Sequence, residues 1–289
     1  MAIAVLSPGE MGSEVGRVLV EAGKQVLTCL NGRGPESAER ARQAGFIILP
    51  SLTELVDQAD LVVCVVPPAA AEPVARTVAE ALSGHEQQLL YLDANSIGPE
   101  TAERIAAIVS GAGGECVDGC IIGGARDLRG RSRFYLAGEH APEVGDLLQP
   151  LNVSILGTRP GQASAFKVLY AGVTKGLSAM GMELLAGAQR LGVTEELMAK
   201  LNADWPNVAR HFERNLPELP PRAKRRAQEM DELAATLEGL DIAAPLIRGS
   251  QAELEHVAER YDAETPDDFP GLSEVMCWWA TAKTSHQLK

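Results

Sequence analysis

Ser7-Pro-Gly-Glu-Met-Gly12 follows a short apolar run, Ala2 to Leu6, and leads into a stretch of helical spacing from Met11 to Ala22. A buried strand that turns sharply into a helix leaves the helix's first N–H groups unpaired, with the positive end of its dipole facing the turn. This arrangement suits a phosphate group, and Gly9 and Gly12 fall where the turn and the helix–strand contact need no side chain. The spacing matches a dinucleotide-binding fingerprint whose usual first glycine is Ser7 here. Ser7, Pro8, Gly9, Glu10, Met11 and Gly12 are therefore the expected pyrophosphate loop, the competing reading being a turn that uses glycine for shape alone.

Three further groups of residues end apolar runs. Thr28-Cys29-Leu30-Asn31-Gly32-Arg33 has no acid before Glu36. NAD-binding folds place a carboxylate at this point for the ribose hydroxyls, whereas NADP-binding folds omit it and supply a cation for the 2′-phosphate. The Asn31-Gly32-Arg33 turn, assisted by Ser37, is the expected clamp, and NADP (NADPH) the expected cofactor. Val66-Pro67-Pro68 should pass under the adenosine or ribose. Asp93-Ala-Asn95-Ser96 ends a strand where open α/β sheets bind ligands. Asn95 and Ser96 would contact the nicotinamide ribose or substrate, or cap the turn before Pro99, two roles that are compatible. Arg126, Arg129, Arg131 and Arg133 could form an anion site, though a solvated loop is the favoured reading of such a run.

These residues need a scaffold. Strand signals at 2–6, 25–30, 46–48, 61–66, 89–94, 115–121, 133–137 and 153–156 alternate with helix signals at 11–22, 35–44, 52–58, 70–82, 99–110 and 142–148. The strands are continuously apolar, which indicates a parallel sheet with helices on both faces, a Rossmann-type doubly wound fold. After Gly161 no strand signal remains. Helices are expected over 162–191, 194–202, 207–215, 222–240, 244–260 and 272–284. The division is therefore an NADP-binding domain over 1–160 and an all-helical substrate and dimerisation domain over 161–289.

The 289 residues carry a net charge of −13, which opposes binding to nucleic acid or an anionic membrane surface. The longest apolar stretch, around 61–71, contains two prolines and is too short to span a bilayer. No basic region precedes an apolar signal segment, so a cytoplasmic protein is expected. The cysteines (29, 64, 116, 120 and 277) and histidines (85, 140, 211, 256 and 286) show no metal spacing, and buried free thiols are expected rather than ligands or disulfides.

Three segments together resemble the β-hydroxyacid dehydrogenase superfamily, which includes 3-hydroxyisobutyrate and 6-phosphogluconate dehydrogenases. Ser7–Gly12 followed by Asn31-Gly-Arg33 is similar to the family's Gly-x-Gly-x-Met-Gly and later Asn-Arg pair. Asp118-Gly-Cys-Ile-Ile-Gly-Gly124 resembles its substrate loop, commonly Asp-Ala-Pro-Val-Ser-Gly-Gly. Gly161-Gln-Ala-Ser-Ala-Phe-Lys167 has the glycine-to-lysine spacing of its catalytic helix, and the stretch 221–233 resembles a little-characterised subgroup. The resemblance implies hydride transfer at nicotinamide C4, with Lys167 as general acid in reduction and general base in oxidation. Hydride reaching a carbonyl leaves an alkoxide, which needs a proton donor within hydrogen-bond reach.

The chain also departs from the family. The loop serine is Ile122, ahead of Gly123 and Gly124. The two asparagines after the lysine are Tyr170 and Ala171, and a later lysine–aspartate pair is replaced around Gln228-Glu229-Met230. These changes point away from a short hydroxy-carboxylic acid and toward a larger or less acidic substrate. Tyr170 and Thr174, three and seven residues after Lys167, share its helix face, and Lys175 is offset by roughly 80°; all three are candidate substrate contacts. A homodimer through the small-residue face of the 162–191 helix is expected. The rivals to a hydroxy/keto oxidoreductase are an imine reductase acting on C=N and a non-catalytic NADP-binding sensor.

Overall fold

The computed structural model describes residues 1–82, 89–264 and 268–281. His85, His286 and the last three positions of the helix expected over 272–284 lie outside them. The chain forms two compact units, 1–168 and 169–289.

In the first unit, eight strands form one sheet: β1 (Ala2–Leu6), β2 (Gln25–Cys29), β3 (Ile47–Leu49), β4 (Leu61–Cys64), β5 (Leu90–Asp93), β6 (Glu115–Ile122), β7 (Arg133–Ala137) and β8 (Val153–Gly157). Their spatial order is β3-β2-β1-β4-β5-β6-β7-β8. Winding runs from β1 to β3 in one direction and from β4 onward in the other, so the order reverses between β1 and β4, where such sheets open a crevice at the strands' carboxyl ends.

The apolar strands alternate between two cores. Ile3 and Val5 of β1 pack with Val15, Val18 and Leu19 of α1 (Glu10–Glu21) and with Val144 of α6 (Ala141–Leu147). Ala2, Ala4 and Leu6 face the opposite side, against α3 (Leu52–Gln58), α4 (Pro68–Leu82) and α5 (Pro99–Gly111). The remaining helix of this layer, α2 (Pro35–Gln43), starts with proline at its first turn. A sheet covered on both faces explains why its strands read as unbroken apolar runs.

One expectation needs correction. The sheet is not wholly parallel, because β7 runs antiparallel to β6, pairing Asp118 with Ala137 and Ile122 with Arg133. The link between them is short, spanning Gly123 to Ser132 with a single 3₁₀ turn at Ala125–Asp127. A parallel return would need a crossover of a dozen or more residues.

The second unit contains helices and no strand among its described residues. α7 (Gln162–Leu191) begins in the first unit and continues into the second, followed by α8 (Thr194–Asp204), α9 (Pro206–Asn215), α10 (Ala223–Glu238), α11 (Pro245–Glu264) and α12 (Leu272–Ala280). Its interior includes Phe212, Met230, Leu233, Leu254, Val257, Met276 and Trp279. No helix among the described residues is long and apolar enough to cross a membrane.

Candidate active site

The turn after β1 has the backbone that a phosphate loop requires. Ser7 adopts φ 69°, a left-handed conformation that L-residues rarely take, at the position where the fingerprint has glycine. A Cβ on Gly12 would fall 2.5 Å from the Ser7 carbonyl oxygen, so only glycine fits there. Gly9 begins α1 with no side-chain cap and has open space around its Cα. The first N–H groups of α1 therefore have no capping side chain and face a cleared surface, which fits a pyrophosphate. Pro8 is buried, Ser7, Gly9 and Met11 are partly buried, and Glu10 is exposed.

At the end of β2, Arg33 N–H donates to the Leu30 carbonyl at 2.9 Å, closing a turn in which Gly32 takes φ 74°. Asn31, Gly32 and Arg33 are all exposed, and the Arg33 side chain has no hydrogen bond or ion pair with any described residue. An exposed guanidinium at a strand end without a carboxylate can hold an anionic group.

The ends of β4 and β5 are tied together by Asn95. Its side-chain oxygen accepts from Val66 N–H at 2.6 Å and its amide donates to Cys64 Sγ at 3.5 Å, while its own N–H donates to Asp93 Oδ1 at 3.0 Å. Asn95 is 2% exposed, so its side chain serves as an internal brace. Pro67 and Pro68, just beyond Val66, are exposed.

Lys167 lies on α7 in the first unit. Its ammonium donates to Ser96 Oγ at 2.5 Å, three residues beyond the end of β5. The helix is fixed by Asp118 of β6, whose carboxylate accepts from Ala163 N–H at 2.8 Å, Ser164 N–H at 3.0 Å and Ser164 Oγ–H at 2.7 Å. A carboxylate here caps the exposed donors of a helix start and sets its rotation. Lys167 follows Ala163 by four residues and Ser164 by three, so one turn of helix transmits that anchoring to it. Packing reinforces the placement: Ala163 joins Cys120 and Ala137 in a small buried cluster with Ile122 against it, and the rings of Tyr135 and Phe166 are centred 4.6 Å apart.

Asp93 and Asp118 are paired in register on β5 and β6, and both are buried. Burial raises the Asp118 carboxyl above its usual range despite the Ser164 and Ala163 hydrogen bonds. Burial likewise pushes Asp93 up to about 6, against the Asn95 hydrogen bonds; Asp118 adds to the rise and Lys167 opposes it. Among the described residues, Asp93 Oδ2 has no hydrogen-bond partner. A carboxyl whose folded-state pKa is raised binds more protons folded than unfolded, so it weakens folding as pH climbs from about 4 to about 6. Asp93→Asn should remove this dependence, changing the wild-type-minus-variant stability by about 3 kcal/mol across that window. Denaturant titrations on either side of the window measure it, and identical pH slopes for the two proteins would refute the assignment.

The remaining candidates occupy separate places. Ile122 ends β6, partly buried, and Gly123 beyond it takes φ 125° where a Cβ would strike Ser132 at 2.1 Å. Gly123 and Gly124 are exposed, and Ser132 Oγ–H donates to the Gly124 carbonyl at 2.8 Å. Tyr170, Thr174 and Lys175 belong to the second unit. Tyr170 is exposed, the Thr174 hydroxyl donates to the Ala171 carbonyl at 3.0 Å, and Lys175 pairs with Glu229 at 2.5 Å. The arginine run divides: Arg129 pairs with Glu21, Arg133 donates to Ser154 Oγ at 2.8 Å, and Arg126 borders a cavity of about 450 Å³ beside α1 and α2. The described cysteines are all free thiols. The sequence names both Asp118 and Asp93 within its motifs but assigns neither a role; a carboxylate inside an otherwise apolar strand was the available signal in both cases.

Residues 2–149 match the family model of the NAD-binding domain of 6-phosphogluconate dehydrogenase, and residues 188–268 match a domain of unknown function, DUF1932. An uncharacterized 28.5 kDa protein of Methanothermus fervidus is 28% identical over 200 residues, covering 68% of this chain and 75% of that one. A solved conserved protein of unknown function, noted for structural similarity with 3-hydroxyacid dehydrogenases, superposes with a TM-score of 0.77 at 28% identity, over 92% of this chain and 98% of that one. The 3-hydroxyisobutyrate dehydrogenase of Mycobacterium tuberculosis, solved with L-serine, superposes with a TM-score of 0.75 at 21% identity, over 96% and 98% of the two chains. The fold is thus that of the hydroxyacid dehydrogenases, with an NAD(P)-binding domain.

Proposed function

The chain belongs to the family of the NAD-binding domain of 6-phosphogluconate dehydrogenase, and from that premise we propose that it is an NADP-dependent oxidoreductase acting on a hydroxy/keto substrate, with Lys167 as general acid and base. The observation that carries this reading is the Lys167 ammonium, 2.5 Å from Ser96 Oγ, on a helix whose start is held by a buried carboxylate. A bound NADP would supply hydride exchange at its nicotinamide C4.

The chain's own residues divide the remaining tasks. The turn from Ser7 to Gly12 holds the pyrophosphate on the first N–H groups of α1, and Arg33, with Asn31 and Gly32, takes the 2′-phosphate. Val66, Pro67 and Pro68 support the ribose side, braced by Asn95 through its bond to Val66. Ser96 orients the Lys167 ammonium, which gives a proton to the oxygen that gains charge in reduction and takes it back in oxidation. Ile122, Gly123 and Gly124 border the substrate.

Cofactor affinity tests the assignment. NADPH should bind at least about tenfold more tightly than NADH, and Arg33→Gln should erase that preference, a difference of about 1.4 kcal/mol. Equal affinities in the native chain would overturn it. Leu169, Val173, Met180 and Leu184 are exposed along α7, which supports a homodimer built on the helical unit. A monomer by light scattering at micromolar concentration would remove that part of the proposal.

A further inference from the structure

The start of α10 gathers four cations, and acids pair with three of them, Lys224 with Asp262 at 3.7 Å. Arg222, which precedes the helix, pairs with Glu218 at 2.6 Å, and Arg225 pairs with Glu229 at 2.8 Å. Glu229 is also held by Lys175 through its other oxygen. Arg226 lies between these pairs. It is half-buried and has no hydrogen bond or ion pair with any described residue. Arginine is rarely withdrawn from water unless paired, because an uncompensated charge loses hydration without recovering it elsewhere. Glu218 and Glu229, the acids whose charge reaches Arg226, are already engaged by other cations.

Contacts along α7 and α10 locate the unpaired guanidinium. A Cβ on Gly172 would meet Leu233 Cδ2 at 2.3 Å, and Lys175 meets Glu229, so the two helices run antiparallel. One further turn brings Arg226 opposite Ser178. Ser178 is buried, and its hydroxyl donates to the Thr174 carbonyl at 3.0 Å. Its oxygen also lies 3.0 Å from His211 Nε2 on α9. On its other side the ring's Nδ1 lies 3.3 Å from Asn215 Nδ2. Burial lowers the ring's affinity for a proton, a hydrogen bond to the Thr174 backbone opposes this, and the Arg226 charge adds a smaller lowering.

We propose that Arg226 binds the anionic oxygens of a small carboxylate or phosphate ligand, in a site of the helical unit where His211 lines the approach. The guanidinium fork matches two oxygens of either group, and binding would supply the charge partner that the fold omits. The site lies wholly within the helical unit and does not depend on the oxidoreductase reading.

His211 is a built-in reporter. In the full chain, the His211 ring proton resonance is assigned by comparison with His211→Gln. Inorganic phosphate and acetate are then titrated at constant ionic strength, with chloride as the control. Saturation in the millimolar range and an upward shift in the His211 titration midpoint are expected with one or both anions. Phosphate alone would identify a phosphate-class ligand, and both would identify carboxylates as well. Arg226→Gln should weaken the response at least about tenfold, the loss of roughly one charge-assisted interaction. Arg226→Lys, which keeps the charge but not the fork, should retain an intermediate affinity. The proposal is overturned if His211 in the native chain shows no saturable response to either anion, or if Arg226→Gln and Arg226→Lys respond as the native chain does.

Discussion

Replacing Lys167 with Met is expected to lower turnover by about two to four decades while NADPH binding stays within a factor of about two, since general acid–base catalysis contributes about that much to rate and little to cofactor affinity. Methionine has similar length and no proton to give. Lys167→Arg separates charge from proton transfer, because arginine remains cationic but does not release its proton near neutral pH. If Lys167 only provided a positive charge, the arginine variant would recover most of the activity. If it exchanges a proton, the arginine variant should stay close to the methionine variant, and the pH dependence of kcat/KM should lose its lysine-controlled limb. Turnover that survives in both variants would remove Lys167 from the chemistry and leave the cofactor site standing.

The second large effect is expected at a residue that need not touch substrate at all. Asp118→Ala should destabilise the protein by about 3 kcal/mol, because two helix-terminal N–H groups and one hydroxyl lose a charged acceptor in a buried place. The loss is less than the sum of three charged hydrogen bonds, since the variant also escapes the burial that raises the Asp118 carboxyl. Activity should fall by about a hundredfold beyond what unfolding explains, because α7 would no longer hold Lys167 against Ser96, and misplacement by about 1 Å has that cost. Asp118→Asn keeps one acceptor oxygen and should fall between. Thermal denaturation alongside kcat and cofactor affinity distinguishes the effects: a positioning role predicts lower kcat with unchanged NADPH binding. A variant as stable and as active as the native chain would disprove the anchoring.

Much of the first unit was legible because its determinants are local. The turn at Ser7 to Gly12 lies within a single strand–turn–helix segment, and the apolar runs of β1, β4 and β5 reveal their two-sided burial directly. The left-handed backbone at Ser7 was not legible, since serine normally avoids it and only the fold around it imposes it. The reversal of β7 was hidden as well, because apolar periodicity marks a strand without giving its direction. The long-range partnerships lie furthest from view. Asp118 meets Ser164 across 46 positions, and Lys175 meets Glu229 across a gap no periodicity could bridge. Departures from the family pattern drew attention to Glu229 as a replacement for a catalytic-side pair, whereas the folded helical unit uses it to hold Lys175 and Arg225. The same pairing leaves Arg226 without a partner among the described residues.

The central claim is that the Lys167 ammonium serves the carbon that exchanges hydride with the nicotinamide. A crystal structure of the full chain with NADPH tests this most directly. The Lys167 nitrogen is expected to turn toward the space beside nicotinamide C4, within about 3 Å of where a substrate oxygen can sit. A nitrogen directed into bulk solvent, with the ring bound elsewhere along the sheet, would contradict it.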